Sequence, residues 1–470
     1  MNLTIRQIVE ATGGRLIYDE GREKDSLRTF LEMQVDSVVL DSRQVTEGGV
    51  FVATVGERVD GHTFITSAFE KGIALAIVQR KPEEAETWKR YLLVENTPEA
   101  LKKIAECYRK NLNIPVIGIT GSVGKTSTKE FIAGVLSVKY NVLKTQGNYN
   151  NEIGVPLTLL RIRPEHEVAV VEMGISDFGE MHRLSKMARP DIAVITNIGQ
   201  CHLENLIDRD GVLKAKTELF DFMSEKGRIC LNGEDDKLAT ISDVSGRELF
   251  FFGRNRTEKT SVYTTEVTEK GLWGSDALLH NIGGDRYEIE VPLPGSHMVL
   301  NAAAAACVAE LLGLTPAQIQ AGMKKVETIG GRNHLIRTEK RTLIDDCYNA
   351  NPVSMKAGID LLCMADTPKV AILGDMFELG EGSEKMHGEI GAYAANKEID
   401  RIVCVGVHSR SMHEEALKYN KKSSVMYFST LEELLSRLRE APEEIVPDGS
   451  TVLIKASHGM HFDRVVEVLK

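Results

Sequence analysis

The chain has 470 residues, a formal charge of -11 at pH 7 and seven cysteines. At about 150 residues per domain the length predicts about three domains, and the acidic balance without a basic stripe disfavours a nucleic-acid partner. The cysteines form no C-x-x-C pair, so we expect reduced thiols. The N-terminus lacks a signal pattern, and no apolar run approaches the roughly 18 residues of a membrane span. We therefore expect a cytoplasmic protein without membrane insertion.

Residues 1–112 predict a small N-terminal α/β domain. Apolar alternation predicts its strands, and helical spacing predicts its helices. The strands are predicted at 35–40, 50–54, 74–78 and 91–94, and the helices at 4–13, 64–71 and 98–111. The triplet Asp41-Ser-Arg43 at the end of the first strand is a candidate ligand contact. Residues 56–62 are rich in turn formers and charge, which is typical of a solvated loop and equally of a ligand contact.

A phosphate-binding loop opens the second domain, residues 113–328. Residues 116–120 predict a buried strand and residues 126–140 a helix, with a glycine-rich turn between them. Such a turn points backbone amides at an anion, Lys125 would meet the outer phosphates, and Thr126 a magnesium ion. A structural turn is the alternative, and Ile119 stands where the strict phosphate-loop pattern has glycine. The order strand, glycines, G-K-T-S and helix favours nucleotide binding through Gly121, Ser122, Val123, Gly124, Lys125, Thr126 and Ser127.

Polar groups follow two further predicted strands of this domain, at 167–173 and 191–198. The alternation of strands and helices predicts a mostly parallel, doubly wound sheet, whose strands share one crevice at their carboxyl ends. Glu172 and His202 are therefore expected near Lys125. Each alone is typical of a solvated or satisfied polar group, but their convergence on a phosphate loop favours a magnesium site.

The rest of the second domain contains a polar loop and an inserted β segment. The loop 144–156, which includes Asn150 and Asn151, is either a turn or a source of neutral hydrogen-bond donors for phosphate or substrate. Residues 211–220 have helical spacing, and a lysine there would ordinarily face solvent. Residues 246–294 predict an antiparallel insertion, and residues 302–312 an alanine-rich helix.

Residues 329–470 predict a second doubly wound, Rossmann-like unit. Its strands are predicted at 343–346, 370–373, 401–405, 425–428 and 452–454, with helices between them. Their ends carry polar motifs at 345–352, 374–380 and 455–458. No fixed-period repeat or low-complexity tract is present, which excludes solenoid and disordered folds.

In their order and spacing these motifs resemble the Mur ligase superfamily, and most closely its members that add D-alanyl-D-alanine. The resemblance covers nearly the whole chain, and the loop of that family, T-G-[ST]-x-G-K-[ST]-[ST], makes Ile119 expected. It is carried by residues 120–127, 147–156, 172–174, 196–204, 215–218 and 345–352.

The resemblance implies ATP-dependent amide ligation in peptidoglycan precursor synthesis. The terminal carboxylate of UDP-N-acetylmuramoyl-tripeptide would attack the γ-phosphate of ATP, and the amine of D-alanyl-D-alanine would displace phosphate from the resulting acyl phosphate. Two anions must meet, so the site must supply cationic charge. By resemblance Lys125 is catalytic, Thr126 and Glu172 hold one Mg²⁺, and His202 with a carbamylated Lys216 serves a second.

The same resemblance implies contacts outside the loop. Asn301 matches the adenine contact, Arg332 a phosphate contact and Asp346 a ribose contact, while Ser42 and Arg43 of the first domain are expected to hold the uridine nucleotide. Further substrate contacts are expected from Asn150, Asn151, Tyr348, Asn349, Lys455 and Ser457. Lys455 and Ser457 could equally be a helix N-terminus and its cap. Because Arg332 and Asp346 belong to the third domain, we expect the domains to be open without ligands and to close on them. We also expect a monomer.

Other functions compete with this interpretation. Folylpolyglutamate synthase is similar in its loop and core but would not need the Asp41-Ser-Arg43 domain. The sister ligase that adds the third amino acid carries a D-N-P-R-like motif, where this chain has residues 374–380. A non-enzymatic nucleotide-binding subunit would have lost Glu172, His202 and Lys216. A nucleic-acid ATPase would require a basic groove.

Overall fold

The computed structural model describes residues 1–17, 24–56, 59–81, 89–199, 201–326, 334–377, 379–419 and 424–470. These residues form a mixed α/β protein with three sheets, which confirms the predicted fold class. The chain forms two compact units. The first comprises Met1–Thr265, Leu278–Ile289 and Leu300–Lys325, and the second comprises Glu266–Ala277, Glu290–Val299 and Val326–Lys470. The predicted domain boundary at 328 and the predicted phosphate contact Arg332 lie outside the described residues.

The first sheet has five strands in the order β1-β5-β4-β3-β2, and β1 alone runs antiparallel to its neighbour. The elements are α1 Ile5–Thr12, β1 Arg15–Ile17, α2 Lys24–Leu31, β2 Val38–Val39, β3 Val50–Val52, α3 Ile65–Glu70, β4 Leu75–Val78, β5 Tyr91–Leu93 and α4 Thr97–Lys110. A capping box on Thr4 begins α1, and the left-handed Gly13 ends it, so local signals fix this predicted helix. The predicted strand at 35–40 is only two residues long, and β1 and α2 were not predicted.

The second sheet has nine strands in the order β14-β13-β12-β11-β10-β9-β6-β8-β7. Its first elements are β6 Val116–Thr120, α5 Lys125–Leu136, β7 Val142–Lys144, α6 Gly154–Leu159, β8 Val168–Glu172, α7 Glu180–Ala188, β9 Ile192–Ile195, α8 Leu203–Leu206, α9 Arg209–Thr217 and β10 Arg228–Asn232. Every residue of β6 is buried, and β6 pairs in parallel with both β8 and β9. The ends of the three strands that carry the predicted site motifs are therefore neighbours, as the sequence predicts.

The predicted insertion forms strands, but its first pairings are parallel rather than antiparallel. The elements are β11 Glu248–Gly253, β12 Thr260–Glu269, β13 Ser275–His280, β14 Arg286–Val291, α10 Ser296–Leu311 and α11 Pro316–Met323. β11 pairs in parallel with β10 and with β12. Tight turns follow: the amide of Lys270 donates to Gly274 O at 2.8 Å, and that of Asn281 to Asp285 O at 3.0 Å, as in hairpins.

The third sheet has six strands in the order β15-β16-β20-β17-β18-β19. Its elements are β15 His334–Arg337, β16 Thr342–Asp345, α12 Pro352–Cys363, β17 Lys369–Gly374, α13 Ser383–Ala395, β18 Arg401–Val405, α14 Ser409–Tyr419, β19 Ser424–Phe428, α15 Leu431–Glu440, α16 Pro442–Ile445, β20 Thr451–Lys455 and α17 Asp463–Leu469. All pairs are parallel except the edge pair of β15 and β16. The five predicted strands are present, and β15 was not predicted.

One apolar core joins the first two sheets inside the first unit. It runs from Ile8 and Leu101 through Val155 and Leu184 without interruption. The buried Arg109 on α4 adds polar contacts, donating to Ala188 O at 2.8 Å and to Asp191 Oδ2 at 3.0 Å. The third sheet has a separate apolar core on each face. Among the described residues no helix combines the length and apolar character that a bilayer crossing requires.

Candidate functional site

The phosphate loop joins β6 to α5 through two glycines in conformations that favour glycine. Gly121 has a φ of +148°, and a Cβ there would lie 1.9 Å from Thr196 Oγ1. Gly124 has a φ of +81° and precedes Lys125, the first residue of α5. The loop therefore closes tightly against the end of β9, with its chain leading into a helix N-terminus, which is the geometry that binds phosphate.

The end of β9 holds the loop in place from one side. The side chain of Asn197 accepts from the amide of Val123 at 3.0 Å and donates to its carbonyl at 3.0 Å. Thr196 Oγ1 donates to the same carbonyl at 2.6 Å, and the amide of Ser122 donates to Asn197 O at 3.0 Å. No individual role for Thr196 and Asn197 was predicted from the sequence. The structure shows that they fix the shape of the loop.

The side chain of Lys125 lies along the loop that it terminates. Its Nζ donates to Gly121 O at 2.9 Å. The ammonium group is thus held at the mouth of the loop, where it can meet an incoming polyphosphate. Ser127 follows two residues later and is half-buried in α5.

Glu172, the last residue of β8, contacts the first turn of α5. Its Oε1 accepts from Thr126 Oγ1 at 3.1 Å and from Asn150 Nδ2 at 2.8 Å. Its amide donates to Thr145 Oγ1 at 2.9 Å, and its side chain is 2% exposed. Oε2 is buried and accepts no hydrogen bond. A buried carboxylate beside a threonine hydroxyl offers the hard oxygen ligands that Mg²⁺ takes next to phosphates, so these residues fit the ion.

A cleft of about 460 Å³ opens beside the loop. His202 lies in it with a left-handed φ of 51°. Burial and the nearby Lys216 and Lys125 lower the pKa of His202, so the neutral imidazole, the form that binds metals, is favoured. The cleft is lined by Lys125, Asn150, Asn151, Glu152, Ile153, Gly174, Ile175, Ser176, Glu180 and His202.

Lys216 is buried, contrary to the solvent-facing position ordinary for a lysine on such a helix. It lies on α9 and is 1% exposed. Burial and, second, the charge of Lys125 lower the pKa of Lys216 to about 8. No described residue forms a hydrogen bond or an ion pair with its amino group. A buried amine that loses its proton this readily is chemically unlike a surface lysine.

Among the described residues no group of three or more His, Cys, Asp and Glu side chains gathers into a ready-made metal cage. A cation beside the loop would therefore depend on the hydroxyl of Thr126, the carboxylate of Glu172 and oxygens supplied by a nucleotide. This ligand set suits Mg²⁺, which keeps few protein ligands at phosphate sites.

Asn301 on α10 stands beside the loop from another side. Its Oδ1 accepts from Thr128 Oγ1 at 3.0 Å. A Cβ on Gly124 would lie 3.7 Å from the same Oδ1, so Asn301 borders the loop, as a nucleotide contact requires. Its predicted role at adenine stays a prediction.

The predicted third-domain residues form a cluster of their own within the second unit. Lys455 is almost fully buried, and its Nζ contacts Asp346 Oδ2 at 2.5 Å and Asn349 O at 3.0 Å. Tyr348 packs edge-on against His458, with ring centroids 5.9 Å apart. This arrangement leaves the Lys455 ammonium committed to Asp346, so one role of the lysine is to hold that carboxylate.

Ser457 lies at the N-cap position of the short 3-10 helix that follows it, but its side chain forms no cap bond there. Ser457 Oγ instead accepts from the amide of Phe377 at 2.8 Å. This bond joins the chain that follows β20 to the loop after β17.

The predicted uridine contacts remain at the surface of the first domain. The guanidinium of Arg43 pairs with Asp41 at 2.7 Å and is 86% exposed. Ser42 offers its carbonyl to Lys71 Nζ at 2.7 Å. A surface arginine beside its own carboxylate can turn to an anionic ligand, but nothing else in the structure selects these two residues.

The motif at 56–62 is partly structural. His62 Nδ1 lies 2.7 Å from Asp60 Oδ1, and its Nε2 accepts from the amide of Gln79 at 3.1 Å. Both ring nitrogens are therefore occupied inside the domain. Residues 57–58 of the motif lie outside the described residues.

Sequence reasoning missed the lysine that lies behind Glu172. Lys129 on α5 is 0% exposed, and its Nζ stands 3.0 Å from Glu130 Oε1 and 3.7 Å from Glu172 Oε2. A signal was available, because Lys129 follows Lys125 by four residues and so shares its helix face. The pattern alone could not show that this face is buried.

Three family models match the chain. The model described as "Mur ligase family, catalytic domain" matches residues 34–109, "Mur ligase middle domain" residues 119–309, and "Mur ligase, glutamate ligase domain" residues 331–458. These ranges include the phosphate loop, β8, β9, Lys216 and the third-domain cluster.

Similar proteins match over almost the full length. The UDP-N-acetylmuramoyl-tripeptide--D-alanyl-D-alanine ligase of Bacillus subtilis (strain 168) is 34% identical over 469 residues, which are 99% of this chain and 98% of that protein. A crystal structure of MurF from Acinetobacter baumannii has a TM-score of 0.87 at 32% identity and covers 99% of this chain and 98% of its own. MurF ligase from Thermotoga maritima in complex with ADP has a TM-score of 0.72 at 30% identity and covers 92% and 96%.

Proposed function

The chain belongs to the Mur ligase family, and from that membership and the site we propose that it joins D-alanyl-D-alanine to UDP-N-acetylmuramoyl-tripeptide. It is an ATP-dependent amide-bond ligase of peptidoglycan precursor synthesis. The observation that carries the proposal is the placement of Thr126, Glu172 and Lys125 around one loop at the carboxyl ends of β6 and β8.

The reaction has two steps, and each makes a demand on the site. A carboxylate oxygen of the tripeptide bonds to the γ-phosphorus while ADP leaves, and the neutral amine of the dipeptide then attacks the acyl carbon, loses a proton and expels phosphate. The first step brings two anions together, so its barrier falls when fixed positive charge and amide dipoles meet the phosphate. Lys125 and the loop amides supply these without moving at the moment of reaction.

We propose that Thr126 and Glu172 hold one Mg²⁺ and that His202 and Lys216 serve a second. The ion would add positive charge beside the phosphates. Thr126 and Asn150 orient the carboxylate of Glu172 through its Oε1, so that the ligand is aimed before the ion arrives. His202 lines the cleft beside the loop, and its neutral imidazole is the form that can bind a cation.

We propose that Lys216 acts as its carbamate. An ammonium cannot bind a cation, whereas a carbamate offers two oxygens and a negative charge. The free amine adds to the carbon of CO₂ and loses one proton, and this reaction requires the unprotonated form. Its pKa of about 8 makes that form accessible near neutral pH.

We propose that the domains are residues 1–112, 113–328 and 329–470. The first domain would bind the uridine nucleotide through Ser42 and Arg43. ATP would be bound by Asn301, Arg332 and Asp346. Asn150, Asn151, Tyr348, Asn349, Lys455 and Ser457 are proposed substrate contacts. ATP and the nucleotide-linked tripeptide are cytoplasmic metabolites, so we propose that the enzyme works in the cytoplasm, as a monomer.

One assay tests the substrate assignment. The purified chain is incubated with ATP, Mg²⁺ and D-alanyl-D-alanine together with UDP-N-acetylmuramoyl-tripeptide, and phosphate release is measured. A parallel reaction offers a folate and glutamate. We expect phosphate release that depends on both the tripeptide and the dipeptide. Turnover with the folate and glutamate alone would refute the assignment.

A further inference from the structure

A chain of four alternating charges runs from the protein surface to the proposed magnesium ligand. Lys144, whose side chain is 46% exposed, pairs with Glu130 Oε2. Glu130 Oε1 lies 3.0 Å from Lys129 Nζ, which lies 3.7 Å from Glu172 Oε2. The two inner members, Lys129 and Glu172, are 0% and 2% exposed. Such burial is costly for both ions unless each compensates the other.

The two oxygens of Glu172 have different surroundings. Oε1 accepts hydrogen bonds from Thr126 and Asn150, on the side of the phosphate loop. Oε2 accepts none, and the cation near it is Lys129. The terminal torsion of a glutamate is broad, so the hydrogen bonds at Oε1 do not alone fix the plane of the carboxylate. A cation that faces the second oxygen, Oε2, restricts that plane.

Lys129 is itself held in place by the backbone next to Glu172. Its Nζ donates to Thr145 O at 2.9 Å, while Thr145 Oγ1 accepts from the amide of Glu172 at 2.9 Å. One residue at the end of β7 thus ties the lysine and the glutamate together. A purely structural ion pair with Glu130 would need no such link.

We propose that Lys129 is a positioning residue for the metal ligand Glu172. It lies behind the carboxylate, fixes its plane and keeps Oε1 turned toward Thr126 and the phosphates. This inference rests on the proposed magnesium site. It predicts that loss of the Lys129 charge weakens metal binding without weakening nucleotide binding, because the phosphate loop is formed by other residues.

The test measures binding of Mn²⁺, as a probe for Mg²⁺, to the full chain saturated with ADP, from the loss of the free-ion paramagnetic resonance signal. Binding of ADP in EDTA is measured alongside. K129M should bind Mn²⁺ about 10- to 100-fold more weakly, the range typical for loss of a residue that supports a metal ligand. Its ADP affinity in EDTA should equal that of the wild type. K129R, which keeps the cation, should recover part of the Mn²⁺ affinity.

K144M is the matched control, because it removes the surface lysine from the same chain of charges and should leave Mn²⁺ affinity unchanged. K129Q, which retains hydrogen-bond donors, replaces K129M if the methionine variant does not fold. The proposal would be overturned if the folded neutral variant bound Mn²⁺ as tightly as the wild type. It would also be overturned if K144M lost as much Mn²⁺ affinity as K129M, or if K129R bound Mn²⁺ as weakly as K129M. E172Q distinguishes failure of the proposed magnesium site from failure of the role of Lys129. If E172Q binds Mn²⁺ as tightly as the wild type, the magnesium site itself is refuted. If E172Q loses Mn²⁺ affinity but the Lys129 variants do not, only the role of Lys129 is refuted.

Discussion

Lys125 and Lys216 are close enough for the charge of the first to lower the pKa of the second, yet their environments give them different chemistry. Lys125 is half-buried and donates to a carbonyl of its own loop. Lys216 is almost fully buried, and burial is the main cause of its lowered pKa of about 8. Lys216 is therefore suited to lose its proton and react, whereas Lys125 lies where a bound phosphate would meet it.

Replacing Lys125 by methionine should reduce ligation by about 10²- to 10³-fold, because a fixed charge at the transferring phosphate is lost. Phosphate release with saturating substrates measures the effect. The matched control is K103M, on the exposed face of α4, which should keep wild-type turnover. Near-normal activity of K125M would remove the lysine from the phosphate site.

Two measurements test the carbamate of Lys216: the pH dependence of its resonance, and the recovery of ligation in a variant that lacks the lysine. In metal-free protein with ¹³C-bicarbonate, the carbamate resonance should grow as pH rises from 7 to 9, because more of an amine of pKa about 8 is unprotonated. The resonance should be absent in K216A. That variant should lose ligation and regain part of it with added acetate, and full activity without acetate would exclude Lys216 from the site.

At the scale of elements, the fit between the phosphate loop and β9 is the tightest contact of the site. G121A should lower the free energy of unfolding by about 2–4 kcal/mol, since it adds both a clash and a disfavoured φ. Gly246 has a φ of +72° and no heavy atom within 4 Å of a Cβ, so G246A should cost only about 1–2 kcal/mol. Denaturant unfolding compares the two, and equal losses would contradict the clash.

The end of α10 contains a pH-sensitive carboxyl. Burial raises the pKa of Glu310 to about 7; its Oε1 and the hydroxyl of Tyr287 are buried without hydrogen bonds. Oε2 accepts from the amide of Ile282 at 2.9 Å. Because the folded pKa lies above the usual 4.5, the folded state holds the proton more tightly, and stability falls as pH rises from about 4.5 to about 7.

E310Q should therefore stabilise the protein above pH 7 by about 1–3 kcal/mol and have little effect at a pH well below 4.5, where the carboxyl is protonated in both states. The glutamine retains an acceptor for Ile282. Unfolding free energies at both pH values provide the measurement. A gain that does not depend on pH would show that packing, and not the charge, is responsible.

The sequence could predict those elements whose signals are local. The strand, glycine turn and helix of the phosphate loop are fixed by residues within a few positions of one another, and convergence of Glu172 on Thr126 follows from parallel strand order. β1 was missed because it is a three-residue edge strand made by pairing with the distant strand β5. β15 was missed although it pairs with the next strand along the chain, because a four-residue edge strand gives a weak pattern. Lys129 was missed because a helical pattern does not distinguish a lysine facing solvent from one facing a buried carboxylate.

At the scale of the whole molecule, the proposed ATP contacts belong to different compact units. Lys125 and Asn301 are in the first unit and Asp346 is in the second. If all three serve one nucleotide, ligands should favour a closed arrangement. Small-angle scattering should show a smaller radius of gyration with an ATP analogue and muramoyl tripeptide together than without them. A profile unchanged by both ligands would refute closure.

The amide of Asn197 has a consequence for how a stored preparation ages. It both accepts from and donates to Val123, which the ionised carboxylate of an aspartate, an acceptor only, could not do. Slow hydrolysis to aspartate would replace the donor by an acceptor and add a negative charge beside a loop built for anions. Molecules damaged in this way would lose nucleotide affinity while keeping their fold, so a thermal melt would report a sound sample whose active fraction had declined.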